Sequence, residues 1–252
     1  MRCQHLSSVK LGRYTQAAGC IGQALEILRA VGDRHGEAQA LSNMGVIQQM
    51  TGRLDEALDC YQQSLVIHES LGNKRGQAMS LGNLGPIHRR QGRHQKAQAC
   101  HLRGLALFEE LGDRYGQAVG LVELGVLYGQ LGKVEEAESC LGEGLEIYRH
   151  MGDRYGEANA LMELGVVQRE RSMPERALML QESALAICRE LGRRDGQATG
   201  LRELGHTHHV LGQVDQARAC WLAAHALLEE LQCIDAQAVH DLLVTLPEPP
   251  AS

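Results

Sequence analysis

Apolar and small residues fall at helical spacing, and the same spacing returns along almost the whole chain. From about Arg34 to Met50, Ala38, Leu41, Met44 and Gly45 share one face. From about Leu54 to Leu71, Ala57, Tyr61, Ser64, Leu65 and Ile67 do the same. Gly52 and Gly72 follow these runs, and a glycine ends a helix by taking a left-handed conformation. The pattern predicts a helix, a tight turn and a second helix folded back on the first. Asp33, Asn73, Asp113 and Asp153 stand where a side-chain oxygen caps the next helix. Arg193, at the fifth such place, offers no oxygen, so that junction is expected to be weaker by roughly 1 kcal/mol.

The helix pair recurs every 40 residues, the step from Gly32 to Gly72. Gly32-Asp33-Arg34-His35-Gly36 returns as segments opening at Gly72, Gly112, Gly152 and Gly192. Leu41 and Gly45 return as Leu81 and Gly85, Leu121 and Gly125, Leu161 and Gly165, and Leu201 and Gly205. Ala17, Ala57, Ala97, Ala137, Ala177 and Ala217 keep the same step without insertion or deletion. Drift-free spacing predicts that each pair packs on its neighbours in the same way. A glycine inside a helix costs about 1 kcal/mol against alanine. Its recurrence in the Gly45 column therefore predicts a close helix approach that a larger residue would overpack.

Counted from Ala38, the residues Leu41, Met44, Gly45, Gly52, Ala57, Tyr61 and Ser64 fall on signature positions of the tetratricopeptide repeat, and the chain resembles that family over nearly its whole length. It departs from the common form of ~34 residues in its longer unit. It also lacks the proline that usually ends the second helix, with Glu69 there and Gly72 as the stop. Longer units of this Gly-Asp-Arg kind resemble those of kinesin light chains, spindle-orientation scaffolds and bacterial multidomain regulators. The segment from Gly212 through Trp221 and Leu228 to Leu243 resembles the last repeat and capping helix of actinobacterial nucleotide-binding regulators. The resemblance implies an all-α fold, a right-handed α-solenoid of antiparallel helix pairs.

On this reading residues 1–246 form one array. Residues 1–31 are a partial first unit, with 1–12 the tail of a first helix and 14–31 its partner. Repeats follow at 32–71, 72–111, 112–151, 152–191 and 192–232, with a capping helix at about 235–246. Pro247, Pro249 and Pro250 cannot continue a helix, so 247–252 is expected to be a disordered tail. Arg171-Ser172-Met173-Pro174 replaces the usual turn of the fourth full unit; Pro174 fits the first turn of a helix. It reads as a different but adequate turn, or as a hinge.

The family resemblance also implies a binding surface, a concave groove lined by the first helix of each unit. Carried over by position, one column holds Asn43, Asn83, Glu123, Glu163 and Glu203. Another holds Gln49, Arg89, Gly129, Arg169 and His209, with Arg90, Asn159, Arg202 and His206 beside them. Asn and Glu could hold a partner's backbone and basic side chains, and Arg89, Arg90 and Arg169 could clamp carboxylates. Each of these is equally readable as a solvated surface residue.

Composition narrows the remaining classes. Aromatics are 3% of the chain and the net charge is -6, so the basic footprint of a nucleic-acid binder is lacking. No apolar run reaches the ~20 residues of a membrane span, and the first residues lack the apolar core of a signal peptide, so the cytoplasm is expected. Cys20, Cys60, Cys100, Cys140 and Cys220 occupy one repeat column and read as small buried residues. His206, His208 and His209 lack the spacing of a helical zinc site. There is no phosphate-binding loop and no nucleophile elbow. No metal, cofactor or catalysis is expected. The chain reads as a scaffold for a protein or peptide partner, or alternatively as the sensor module of a larger signalling or transcription regulator. The partial first unit would leave an end face for self-association.

Overall fold

In a computed structural model, the described backbone covers residues 2–231, 233 and 235–247, and side chains are described from Tyr14 onward. The described residues contain twelve helices, in two compact units, Met1–Leu127 and Tyr128–Ser252.

The first unit opens with α1 (Arg2–Val31), followed by α2 (Arg34–Met50), α3 (Leu54–Ser70), α4 (Lys74–Arg90), α5 (His94–Glu110) and most of α6 (Arg114–Gln130). The expected break near Gly12 is absent, and α1 runs unbroken through it. In register, His5 stands where the later units have their close-approach glycine, and Ser7 where they have Ile47. A helix folded back there would gain little apolar burial, so continuing the helical hydrogen bonds wins.

Within each pair, the first-helix glycine admits a larger residue of the second helix. A Cβ on Gly45 would stand 2.7 Å from Cε1 of Tyr61, and one on Gly85 would overlap the ring of His101. Between pairs, a second glycine does the same: Gly76 meets the ring of His68 and Gly116 that of Phe108. The core follows these seams, with Ala38, Leu41 and Ile67 in one cluster and Ala57, Tyr61, Leu84 and Ile87 in the next.

The joints between pairs are polar. Asp33, Asn73 and Asp113 accept from the backbone N–H of Gly36, Gly76 and Gly116 at 2.9, 3.0 and 3.0 Å. One position further along the helix column, Glu37 is held by Arg29 at 2.8 Å and also pairs with Arg34. Hydrogen bonding from Arg29 outweighs partial burial and holds the Glu37 carboxyl below the usual range. Gln77 and Gln117 occupy the same column and donate instead to the carbonyls of His68 and Phe108, at 3.3 and 3.2 Å.

The second unit contains α7 (Val134–Met151), α8 (Arg154–Glu170), α9 (Pro174–Glu190), α10 (Arg194–Val210), α11 (Val214–Leu231) and α12 (Asp235–Val244). The same devices recur. Gly165 admits Gln181 and Gly205 admits Trp221. Glu157 is bracketed by Arg149 and Arg154 at 3.0 and 2.5 Å. Arg193 makes no capping bond; its guanidinium lies 4.0 Å from the centre of the Tyr155 ring and pairs with Asp195 at 2.8 Å. Pro174 opens α9, and Ser172 takes the turn with φ 60, where the other turns have glycine. α12 covers Trp221 and Leu228 with Val239, Leu242 and Leu243. Of the expected tail, residues 248–252 lie outside the described residues.

Candidate functional site

The first helices of the pairs, α2, α4, α8 and α10, bury one face through their Ala, Leu and Gly columns and turn the other outward. On α2, Asn43 is exposed and the Gln49 Oε1 accepts from the Tyr61 hydroxyl at 3.2 Å. Burial pushes the Tyr61 hydroxyl up to about 12, so it is a donor at neutral pH. On α4, Asn83 is half-buried and Arg90 exposed. Arg89 reaches Glu123 of α6 at 3.6 Å, a charge pair without a hydrogen bond. Burial pushes the Glu123 carboxyl up, partly countered by Arg89.

The second unit treats the same columns differently. Asn159 is exposed and Glu163 half-buried. Arg169 meets the Glu203 carboxylate at 3.0 Å, and also donates to the Glu203 carbonyl and the Thr207 hydroxyl, both at 3.2 Å. Arg202 takes the other Glu203 oxygen at 3.1 Å, and Thr207 donates to Gln181 at 2.8 Å. Of the three arginines expected to clamp a partner's carboxylate, Arg89 and Arg169 therefore already face glutamates of the next first helix, while Arg90 is exposed. His206 and His209 lie against Trp221, with ring centres 5.3 and 5.7 Å away, and the Trp221 N–H donates to the Arg202 carbonyl at 3.1 Å. Burial holds His206 below the usual imidazole range, partly countered by Glu203.

Between consecutive first helices lie clefts. The one between α2 and α4 has about 170 Å³ and is lined by Gln39, Ser42, Met79 and Asn83. The one between α4 and α6 has about 420 Å³, with His101 of α5 among its walls. In the second unit, the cleft between α8 and α10 has about 110 Å³ and is lined by Asn159, Met162 and Thr199. Asn83 and Glu123, expected from the first-helix columns, both line the α4–α6 cleft, whose volume those columns do not reveal. Its signal was a set of glycines, Gly82, Gly104 and Gly120, at positions that no tight turn requires. His101 is 2% exposed, and burial, with Arg89 nearby, pushes its imidazole down to about 4.

Cysteine and membrane chemistry can be placed as well. Seven described cysteines are free thiols, from exposed Cys20 to buried Cys188. Among the described residues no group of His, Cys, Asp and Glu could hold a metal ion, and no helix is long and apolar enough to cross a membrane.

Several solved structures share this architecture. BtubC (BKLC) from P. vanneervenii matches with a TM-score of 0.69 at 20% identity, covering 95% of this chain and 96% of its own. A Rap protein complexed with competence and sporulation factor matches at TM-score 0.72 and 15% identity, over 83% of this chain and 60% of its own. The Rap conjugation gene regulator of the plasmid pLS20, solved with a bound peptide, gives 0.76 and 16%, over 88% of this chain and 62% of its own. No curated protein sequence matches significantly. The tetratricopeptide-repeat model matches residues 6–70, 38–110, 76–150 and 116–190, and a second model of that description matches 198–223. Close-approach glycines, alternating helix pairs and these matches together place the chain in the tetratricopeptide repeat family.

Proposed function

We propose that this protein is a non-catalytic scaffold whose first-helix faces hold a peptide segment of a cytoplasmic protein partner. The observation that carries the reading is the series of clefts between consecutive first helices, each with an asparagine or glutamine on its rim. Asn83 borders both clefts of the first unit, and Asn159 borders that of the second. An amide offers a donor and an acceptor at once, which suits a peptide backbone. The two Rap structures, each solved with a peptide or factor, make a peptide the sensible probe.

The test is selection of binders from a displayed peptide library against the full chain, followed by calorimetry. Peptides enriched on the wild type should lose affinity for an Asn43→Ala, Asn83→Ala, Asn159→Ala triple variant. Equal affinity for both proteins would sink the assignment of the face.

A second reading has one observation in its favour. The chain spans 60% and 62% of the two Rap proteins, one described as a gene regulator. On that reading the array is the sensor module of a larger signalling or transcription regulator. Coding sequence that joins the array to an effector domain supports it; an isolated gene with its own promoter counts against it.

A further inference from the structure

Three serines close the cleft between α2 and α4. Ser64 donates to the Ala38 carbonyl at 2.9 Å, and its hydroxyl lies 2.8 Å from that of Ser42 and 3.3 Å from that of Ser80. One repeat later, all three positions are glycine: Gly82, Gly104 and Gly120. None is demanded by packing. A Cβ on Gly82 would meet nothing within 4 Å, and those on Gly104 and Gly120 would come no closer than 3.5 and 3.6 Å to a neighbour. None has a positive φ. Each glycine costs the helix about 1 kcal/mol relative to alanine. In the second unit, the equivalent of Gly82 is Met162, whose methyl lies 3.0 Å from a Cβ built on Gly200. The same lattice position is thus filled by a hydroxyl cluster, left open, or filled by a thioether.

The open version is mostly apolar, with Met79, Pro86, Leu105, Phe108 and Val119 in its walls. Three of its polar groups are not fully hydrogen-bonded: His101, Glu123 and the Gly82 carbonyl. His101 forms part of the wall with its Nε2 unpaired, and Glu123 keeps a third of its side chain exposed, 33%. Pro86 has no N–H, so the Gly82 carbonyl lacks the donor that a helix supplies four residues on. Glu203, the second-unit counterpart of Glu123, has both oxygens engaged by Arg169 and Arg202.

Charge decides what kind of donor fits. The Glu123 carboxylate faces Arg89 at 3.6 Å, and Asp113 faces Arg75 at 3.3 Å, so each local acid is offset by a guanidinium. A cation entering this apolar space would shed its water without an uncompensated acid to meet. A neutral N–H or O–H sheds far less. We propose that the Gly82–Gly104–Gly120 cleft is the anchor socket of the peptide partner, and that it takes a bulky aromatic side chain ending in a neutral hydrogen-bond donor, an indole or a phenol, with the carboxylate of Glu123 as acceptor. This rests on the groove reading above and adds to it the position and chemistry of the anchor.

The probes are capped pentapeptides with alanine at every position but the centre, where Trp, Tyr, Phe, Leu or Lys is placed. Methyl NMR of the full chain reads Met79, Leu105 and Val119. Trp and Tyr peptides should titrate these methyls, with Phe and Leu roughly tenfold or more weaker for want of one hydrogen bond to a carboxylate. Gly82→Ser, Gly104→Ser, Gly120→Ser restores the neighbouring serine cluster and should abolish the shifts. Gly82→Met alone should do the same if the triple variant folds poorly, since a Cβ there meets open space. Undisturbed methyls with every peptide, binding of Lys as tight as Trp, or full binding to the closed variants would each overturn the socket. If library-selected peptides shift first-helix resonances elsewhere but never these methyls, the socket fails while the groove stands; if they shift no first-helix resonance, both fail.

Discussion

The indole of Trp221 occupies the space that a Cβ on Gly205 would need. Gly205→Ala should therefore destabilise the protein by about 1–3 kcal/mol through overpacking. Gly104→Ala, in the interior of α5, should stabilise by about 0.5–1 kcal/mol, because its Cβ meets only ordinary contacts, the nearest at 3.5 Å. Urea unfolding of both variants checks the opposite signs; equal shifts would refute the distinction.

Ser172 carries φ 60 where Gly52, Gly92, Gly132 and Gly212 serve the equivalent turns. A left-handed serine costs about 1–2 kcal/mol, and glycine returns about 0.4–1 kcal/mol through the freer unfolded chain. Ser172→Gly should thus gain a net ~0.5–1 kcal/mol, read as a higher urea midpoint.

His101 bears on acid stability. Its folded pKa of about 4 lies below the ordinary imidazole value of about 6.5. The folded state therefore favours the neutral ring. Its contribution is fully present above pH ~6.5 and is lost as pH falls towards 4, because the unfolded chain binds the proton first. His101→Leu, the residue at the equivalent position of the next unit, Leu141, should flatten stability between those limits. Unfolding midpoints taken across that pH range check it; an unchanged slope would count against His101.

Ion pairs should divide by burial. Arg169 and Glu203 keep 16% and 13% of their side chains exposed, and Arg169→Ala leaves the Glu203 carboxylate with Arg202 as its remaining guanidinium, so it should cost about 1.5–3 kcal/mol. Lys74 and Glu110 keep 49% and 54%, and Lys74→Ala should cost less than about 1 kcal/mol. High salt should weaken the second pair and spare the first. Double-mutant cycles at two salt concentrations separate them.

At Arg193 two effects oppose. Arg193→Asp supplies the missing cap, worth about 1 kcal/mol, and removes both the guanidinium over Tyr155, worth about 0.5–1 kcal/mol, and its exposed pair with Asp195, worth little. The net change should be near zero. A gain of a full cap in thermal melts would show that the stack contributes little.

Periodicity made the helix pairs, their turns and the capping residues legible, since Gly45, Gly72 and Asp33 act through local geometry and short spacing. The partner of each glycine was not legible: Tyr61, His101, Gln181 and Trp221 share a column but no chemistry. The outward columns were legible as columns, yet not that Arg169 and Glu203 lie close enough to satisfy each other, because that depends on how neighbouring pairs stack. α1 escaped because a turn signal at Gly12 is only permissive; without an apolar face to fold against, the helix continues. The open cleft was written as three absent side chains, and absence has no periodicity of its own.

In the Gly45 column, each glycine and its bulky counterpart belong to one helix pair: Gly45 with Tyr61, Gly165 with Gln181, Gly205 with Trp221. Across the joint run the interchangeable Glu37-type column, Glu or Gln, and a constant glycine, such as Gly76 or Gly116, that admits whatever ring the preceding helix presents. A 40-residue cassette duplicated, deleted or moved in the gene would carry its own lock and key with it, and would find a compatible coupling at either end. Such a chain can lengthen or shorten by whole cassettes without redesigning its interior, while changes at Ser42, Gly82 or Met162 reshape one cleft and leave the rest untouched.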